Sequence, residues 1–348
     1  MLVCCSVAAL QGQNLRMNHT QVIGSHNSYK IGIEKPLMEM ILAENPEAIG
    51  LEYTHIPIID QLNLGLRGLE IDVLYDPEGG RFSHPKGLDM VASKAPYNVD
   101  AMNAPGFKVL HIPDIDFRTH CSTFKACLTD IREWSQSHQD HLPIIITINP
   151  KTSGLERPGF AKVIPFDVDV LNALDQEIFD VLKPNHLITP KLVKGKSKTL
   201  RAAILDKGWP DLAKARGKIL FVLDAEKELT DLYTQGDDDY SRPMFANTDH
   251  EDPHAGFFIM NDPVRQEDSI AERVKQGFMV RTRSDADTKE ARTGDRRRFE
   301  AAMRSGAQLI STDYYLKSLS PADNFEIVFE NGYSRCNPLL KSGECDLK

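Results

Sequence analysis

Short runs of mostly apolar residues recur along the chain at 21–24, 68–74, 107–111, 143–149, 218–224, 256–260, 277–281 and 307–311. Their centres are continuously apolar rather than alternating, as in the stretches IIITI and ILFVL. That is the pattern of parallel strands covered by helices. Between most runs the apolar period lengthens to that of a helix, most clearly at 123–138, 168–182, 199–207, 267–275 and 287–305. Strands alternating with helices in this way predict an α/β protein, a closed (β/α)8 TIM barrel. A doubly wound open sheet is the alternative, but no G-x-G-x-x-G or phosphate-binding P-loop follows the first run. No repeat of fixed period and no Pro/Ser-rich linker divides the chain. The reading is therefore one catalytic barrel over 14–320, with 321–348 as a C-terminal appendage.

In such a barrel the chemistry collects at the C-terminal ends of the strands. Here each run delivers polar groups at that end. Ser25-His26-Asn27-Ser28-Tyr29 follows the first, and Glu70 and Asp72 lie in the second. His111 ends the third and precedes Pro113-Asp114, while Asn149-Pro150-Lys151 ends the fourth. Asp224, Asn261-Asp262, Arg281 with Arg283, and Asp313-Tyr314 mark the remaining four. Glu70 and Asp72 are two apart, so on a strand they share a face. Two carboxylates that close call for a cation or protons, and carboxylates with an Asn carbonyl suit a hard ion, Ca2+ or Mg2+. Zinc fits less well, because no H-x-H or H-E-x-x-H is present. His26 and His111 are the acid–base candidates. His84, in the loop-like stretch EGGRFSHP, is a weaker rival. Lys151, Arg281 and Arg283 offer positive charge to an anionic substrate such as a phosphate, and Tyr314 is assigned with them as a substrate contact.

Composition narrows the class further. Of 348 residues, 41 are basic and 50 acidic, a net charge of −9. An acidic surface argues against nucleic acid, which needs a basic face. No apolar run is long enough for a transmembrane helix. Residues 2–10, LVCCSVAAL, resemble the apolar core of a signal peptide, so 1–13 reads as one with a truncated start,. Outside it, Cys121 with Cys127 and Cys336 with Cys345 form two close pairs, which suggests two small-loop disulfides and a secreted or periplasmic protein,. A monomer is expected.

Several blocks together resemble the secreted, calcium-dependent phosphoinositide-specific phospholipase C family of bacteria and fungi. They are LRMNHTQVIGSHNSYK at 15–30, LGLRGLEIDV at 64–73, VLHIPDIDFRTHCSTFKACLTDIREWSQSH at 109–138, GKILFVLD at 217–224, GFMVRTRSDADTKEAR at 277–292 and SGAQLISTDYY at 305–315. The resemblance implies a TIM barrel of the phospholipase C-like phosphodiesterase type. It implies cleavage of phosphatidylinositol-type lipids at a membrane or micelle surface to diacylglycerol and a cyclic inositol phosphate. His26 would stabilise the phosphorane-like transition state, and His111 would protonate the departing oxygen. Asn27, Glu70 and Asp72 match the calcium ligands. The fourth strand of the family ends in a carboxylate, in an E-x-K-like turn. Here Asn149 stands at that position and brings an oxygen without charge, so calcium binding is expected to be weaker. Lys151 is expected to contact phosphate or inositol.

Three other readings differ in what they need. A glycerophosphodiester phosphodiesterase would use the same histidines on a different head group. A non-catalytic phosphoinositide-binding barrel would not need them. A glycoside hydrolase places its two carboxylates across a scissile bond, usually on different strands, which Glu70 and Asp72 do not satisfy.

Overall fold

Runs of Ile, Leu and Val line up side by side as parallel strands in the computed structural model, which describes residues 15–321, 325–341, 345 and 347. The strands are β1 (Thr20–Ser25), β2 (Gly68–Val73), β3 (Ile144–Pro150), β4 (Ile219–Leu223), β5 (Met244–Ala246), β6 (Phe257–Ile259), β7 (Met279–Arg283) and β8 (Leu309–Thr312). Their hydrogen-bonded order is β5-β4-β3-β2-β1-β8-β7-β6, every pair parallel. The ring is nearly closed. At its seam the Ile259 N–H of β6 donates to Asn247 Oδ1, just beyond β5, at 3.0 Å. The (β/α)8 expectation is met, with one strand exchanged for another.

The exchange concerns 107–111, which the sequence reading makes the third barrel strand. It is a loop segment above β2, tied antiparallel to Leu74 through paired Leu74–Lys108 backbone bonds of 2.9 Å. Phe107, Val109 and Leu110 are fully buried, and a buried loop run of this length carries the same apolar signal as a short strand. The strand that completes the barrel is instead β5, whose three residues are too few to show any period.

Alternation across β2 sets the site. Leu69, Ile71 and Val73 pack outward in one cluster with Leu128, Ile131, Leu171 and Leu174 of the surrounding helices. Glu70 and Asp72 consequently point into the barrel. Close approach of β1 and β2 depends on glycine: a Cβ on Gly24 would lie 2.6 Å from Gly68 Cα. The expected helices appear at Phe124–Ser137, Val168–Val181, Leu200–Asp206 and Pro263–Lys275. Thr123 and Asp167 cap the first two, accepting from the N–H of Ala126 and Val170,. The stretch 287–305 is not one helix but two, Lys289–Thr293 and Arg297–Ser305. They part at Gly294, which takes the left-handed conformation (φ 69°) that closes a helix,.

The tail is bound to the barrel. Strand β9 (Ser334–Cys336) pairs antiparallel with the first half of β1, and a Cys336–Cys345 disulfide follows it. The other expected disulfide, Cys121–Cys127, is also formed. The suggested signal segment, 1–13, lies outside the described residues.

Candidate active site

At the carboxyl end of β1 the chain turns sharply, with Asn27 in the left-handed region (φ 47°), and His26 is presented at the barrel mouth. Two neighbours fix its ring. Nδ1 lies 2.9 Å from Asp313 Oδ1, and Nε2 lies 3.2 Å from an Arg283 N–H. An arginine can only donate, so Nε2 carries the lone pair and Nδ1 the proton, donated to Asp313. A second guanidinium nitrogen of Arg283 reaches Asp313 Oδ2 at 3.2 Å, closing a three-residue ring. Burial, and then the Arg283 charge, push His26 well below its ordinary pKa, so the imidazole rests neutral,.

His55 supports this unit from behind. It is buried, and its Nε2–H donates to the His26 carbonyl at 2.7 Å. The same nitrogen is 3.7 Å from Asp313 Oδ1, and the ring stacks on Tyr315 at 5.5 Å. Burial lowers the His55 pKa to about 4. Asp285, also buried, accepts from the Asp313 N–H at 2.9 Å.

His111 reaches the same mouth from a loop, not a strand end. Its Nδ1 donates to Asp116 Oδ2 at 2.7 Å. The other oxygen of Asp116 is 3.0 Å from the ammonium of Lys30, and both residues are buried. Burial alone would raise the Asp116 carboxyl, but Lys30 and His111 outweigh it and hold it below its ordinary value. Lys30 also donates to the Tyr53 carbonyl at 3.1 Å. A cavity of about 420 Å³ is lined by His26, Tyr53, His111, Arg283 and Asp313 among others, a size suited to a small polar head group.

Below the mouth lies a layer of ion pairs. Arg281 is almost wholly buried and bonds Glu70, Asn261 Oδ1 at 2.7 Å and Ser311 Oγ at 3.0 Å. Asp224 is 3.7 Å from the same guanidinium, and burial raises its pKa to about 6. Asp72 is fully buried and lies 2.7 Å from the Lys151 ammonium. Burial pulls Lys151 down, but Asp72, Glu70 and Asp224 more than offset that and raise it. In register, Asp72 faces Asn149 across β2 and β3.

The structure thus brings His26, His111 and Arg283 to one cavity. Around its base, on adjoining strands and the residues that directly follow them, lie Asn27, Glu70, Asp72, Asn149, Lys151 and Arg281. It does not bring Tyr314 there. That ring is fully buried beside Ile23, Phe299 and Phe325, so the substrate-contact assignment is corrected: at the end of β8 the side chain that lines the cavity is its neighbour Asp313. Asp116, Lys30 and His55 are not among the residues the sequence reading selects, and Asp313 is named there only as a strand-end group without a role. Asp313 carries a signal as a polar residue ending a strand. Asp116 is marked only by lying five positions after His111, and Lys30 and His55 have no sequence signal.

Among the described residues no cluster of three or more His, Cys, Asp or Glu side chains is set to hold a metal. The expected set is different in kind: two carboxylates and two amide oxygens. Asp72 is wholly buried; its Oδ2 is met by the Lys151 ammonium at 2.7 Å, while its Oδ1 accepts no well-formed hydrogen bond among the described residues. Asn27 uses its Nδ2 on Tyr53 Oη at 2.7 Å, which leaves its carbonyl oxygen for another partner. An all-oxygen set with one unmet carboxylate oxygen fits a hard divalent ion, and Lys151 and Arg281 balance the two carboxylates in its place.

In fold the chain is a phospholipase C-like TIM barrel. The calcium-dependent phosphoinositol-specific phospholipase C of a Pseudomonas sp superposes with a TM-score of 0.55 at 14% identity, over 93% of this chain and 96% of that one. The Ca2+-dependent phosphatidylinositol-specific phospholipase C of Streptomyces antibioticus gives 0.53 at 17% identity, over 86% and 95%. No curated protein matches. The family model of Ca2+-dependent phosphoinositide phospholipase C matches residues 15–338, nearly the whole chain. The protein belongs to that family, whose members are phosphodiesterases.

Proposed function

We propose that this enzyme cleaves phosphatidylinositol-type lipids by attack of the inositol 2-hydroxyl on its own phosphodiester, giving diacylglycerol and a cyclic inositol phosphate. The observation that carries the reading is a pair of histidines, each backed by a buried aspartate, facing one cavity that also holds Arg283.

His26 rests neutral, and its Nε2 lone pair accepts from Arg283 at the cavity wall; once the substrate phosphate draws the guanidinium to itself, that nitrogen is suited to take the 2-hydroxyl proton. That is a base, a different role from the transition-state stabiliser that the resemblance implies for it. Asp313 keeps the ring in the correct tautomer and stabilises the imidazolium that forms. The inositol oxygen bonds to phosphorus as the bond to the diacylglycerol oxygen breaks. His111 gives its Nε2 proton to that departing oxygen, and Asp116 offsets the charge on His111 beforehand. Arg283 faces the non-bridging oxygens. Asn27, Glu70, Asp72 and Asn149 would hold calcium. When bound, the ion would lower the pKa of the attacking hydroxyl and offset phosphate charge.

The two disulfides support an oxidising compartment. Among the described residues no helix is long and apolar enough to cross a membrane, and the substrate is expected to be met at a lipid surface. The test is turnover of phosphatidylinositol micelles with calcium and with a chelator, followed by phosphorus NMR. Appearance of a cyclic inositol phosphate is expected. Turnover of glycerophosphodiesters without any cyclic product would favour the glycerophosphodiesterase reading. Binding of phosphoinositide without turnover would favour a non-catalytic barrel.

A further inference from the structure

The two cations beneath the cavity are held very differently. Arg281 is 1% exposed and bonded on three sides, by Glu70, Asn261 and Ser311. It has nowhere to go. Lys151 is anchored only by its backbone, whose N–H donates to Val73 O at 2.9 Å. Its side chain is 23% exposed, and among the described residues Asp72 is the group its ammonium pairs with. The Nζ–Oδ2 separation of 2.7 Å is close to a calcium–oxygen distance,. The ammonium is therefore the positive charge on this Asp72 oxygen that a divalent ion ligated by it would have to replace. Opposite it, Asn149 supplies no charge that could hold a divalent ion and the ammonium together.

We propose that Lys151 is a tethered competitor for the divalent cation: its ion pair with Asp72 and occupation of the site by Ca2+ exclude each other. Calcium must displace a covalently attached rival from a buried carboxylate, and the two positive charges repel strongly at such range. The ion's arrival turns the Lys151 side chain outward, toward the open side from which it is already partly exposed. The site is thus one that fills only at high calcium. This rests on the calcium-dependent reading of the site but not on the identity of the lipid.

The test is calorimetric titration of Ca2+ into the full chain without substrate, for the wild type and for Lys151→Met, which keeps the length and removes the charge. Lys151→Met is expected to bind at least about tenfold more tightly. Lys151→Arg is expected to stay close to wild type, and Asp72→Asn to lose binding. Equal affinities for wild type and Lys151→Met, or no binding by either, overturn the proposal. A second measurement needs no variant. Labelling of Lys151 by an amine-reactive reagent, read by peptide mass spectrometry, is expected to rise when calcium is added to the wild type. Unchanged labelling at saturating calcium also overturns it. Both readouts are independent of catalysis. A chain that binds calcium as described but turns over no phosphatidylinositol would refute the phospholipase mechanism alone. Normal turnover with identical calcium affinities would refute the competitor alone.

Discussion

The two aspartate-backed histidines reach the same cavity on different backbones. His26 ends a barrel strand, and its carboxylate, Asp313, ends the neighbouring one, so two adjacent ladders fix the pair. His111 and Asp116 sit five residues apart in the long connection between β2 and β3, which is tied to the barrel only locally, through the Leu74–Lys108 bridge just after β2. Precision there comes from charge: Lys30, arriving from the turn after β1, is buried against Asp116. The strand-borne pair has a counter-ion as well, Arg283 at 3.2 Å from Asp313, but that residue also ends a barrel strand, β7. The same proton chemistry is held by side chains that all lie at strand ends in one case and by a loop pinned to a buried lysine in the other.

The largest effect expected is from removing either histidine. Alanine at His26 or at His111 should lower kcat on phosphatidylinositol by about 10³-fold, the range typical of a lost acid or base. The comparison would break if only one of the two substitutions mattered.

Aspartate substitutions should then separate the two designs. Asp313→Asn removes the acceptor that sets the His26 tautomer and should cost about 10²–10⁴-fold in kcat with the fold retained. Asp116→Asn also strands a buried ammonium, so it should destabilise the protein by about 3–5 kcal/mol in denaturant unfolding. Asp116→Asn combined with Lys30→Met should recover much of that stability while the rate stays low. If Asp116→Asn is as stable as wild type, the buried salt bridge is not what holds the loop.

Acid should weaken the strand-borne pair from behind. His55 is ordinary near pH 6.5 when unfolded but is lowered to about 4 by burial in the folded state. Its contribution is therefore complete above pH 6.5 and lost as pH falls toward 4, roughly 3 kcal/mol in all. Asp224 and Asp285 act in the opposite sense. Burial raises each to about 6, so each favours the folded state at low pH and opposes it as pH rises through 6. Urea unfolding of wild type and His55→Asn between pH 7 and 4.5 isolates the histidine: the variant's stability should fall less steeply. Equal slopes would mean that His55 is not the group responsible.

The Cys121–Cys127 disulfide closes a short loop just beyond Asp116. Its replacement by two serines should cost roughly 2 kcal/mol of stability. The effect on rate should appear through the loop-borne pair, as a disproportionate loss in combination with a weakened Lys30–Asp116 bridge rather than with Asp313→Asn.

Legibility followed the same division. Long apolar strands such as IIITI announced the barrel, and the strand period placed Glu70 and Asp72 inward. His26 and Arg283 could be chosen because a strand end is a predictable place for chemistry. His111 was chosen for a reason the structure does not share, since its segment is a buried loop that imitates a strand. Buried loop and buried strand differ in hydrogen-bond partners, and those partners lie far away in sequence. For the same reason Lys30, more than eighty residues before Asp116, was out of reach, and three-residue β5 left no trace. Tyr314 shows the opposite error: correct strand end, wrong side chain, because a one-residue step along the chain turns from cavity to core.

The smallest effect expected belongs to a third histidine on the same long loop. His84 pairs with Asp89 at 3.0 Å, but both side chains are exposed, 68% and 45%. If a histidine and an aspartate in contact were sufficient, His84 would rival His111. What separates them is burial. The carboxylate behind His111 is shut away from water and fixed by Lys30, whereas Asp89 is open to solvent that screens its charge and lets its rotamer vary. His84→Ala should change kcat by less than about twofold and stability by less than about 0.5 kcal/mol. A tenfold or greater loss of rate would show that the loop works as one unit reaching beyond His111. The distinction between a buried and an exposed aspartate would then no longer tell a catalytic histidine from a surface one.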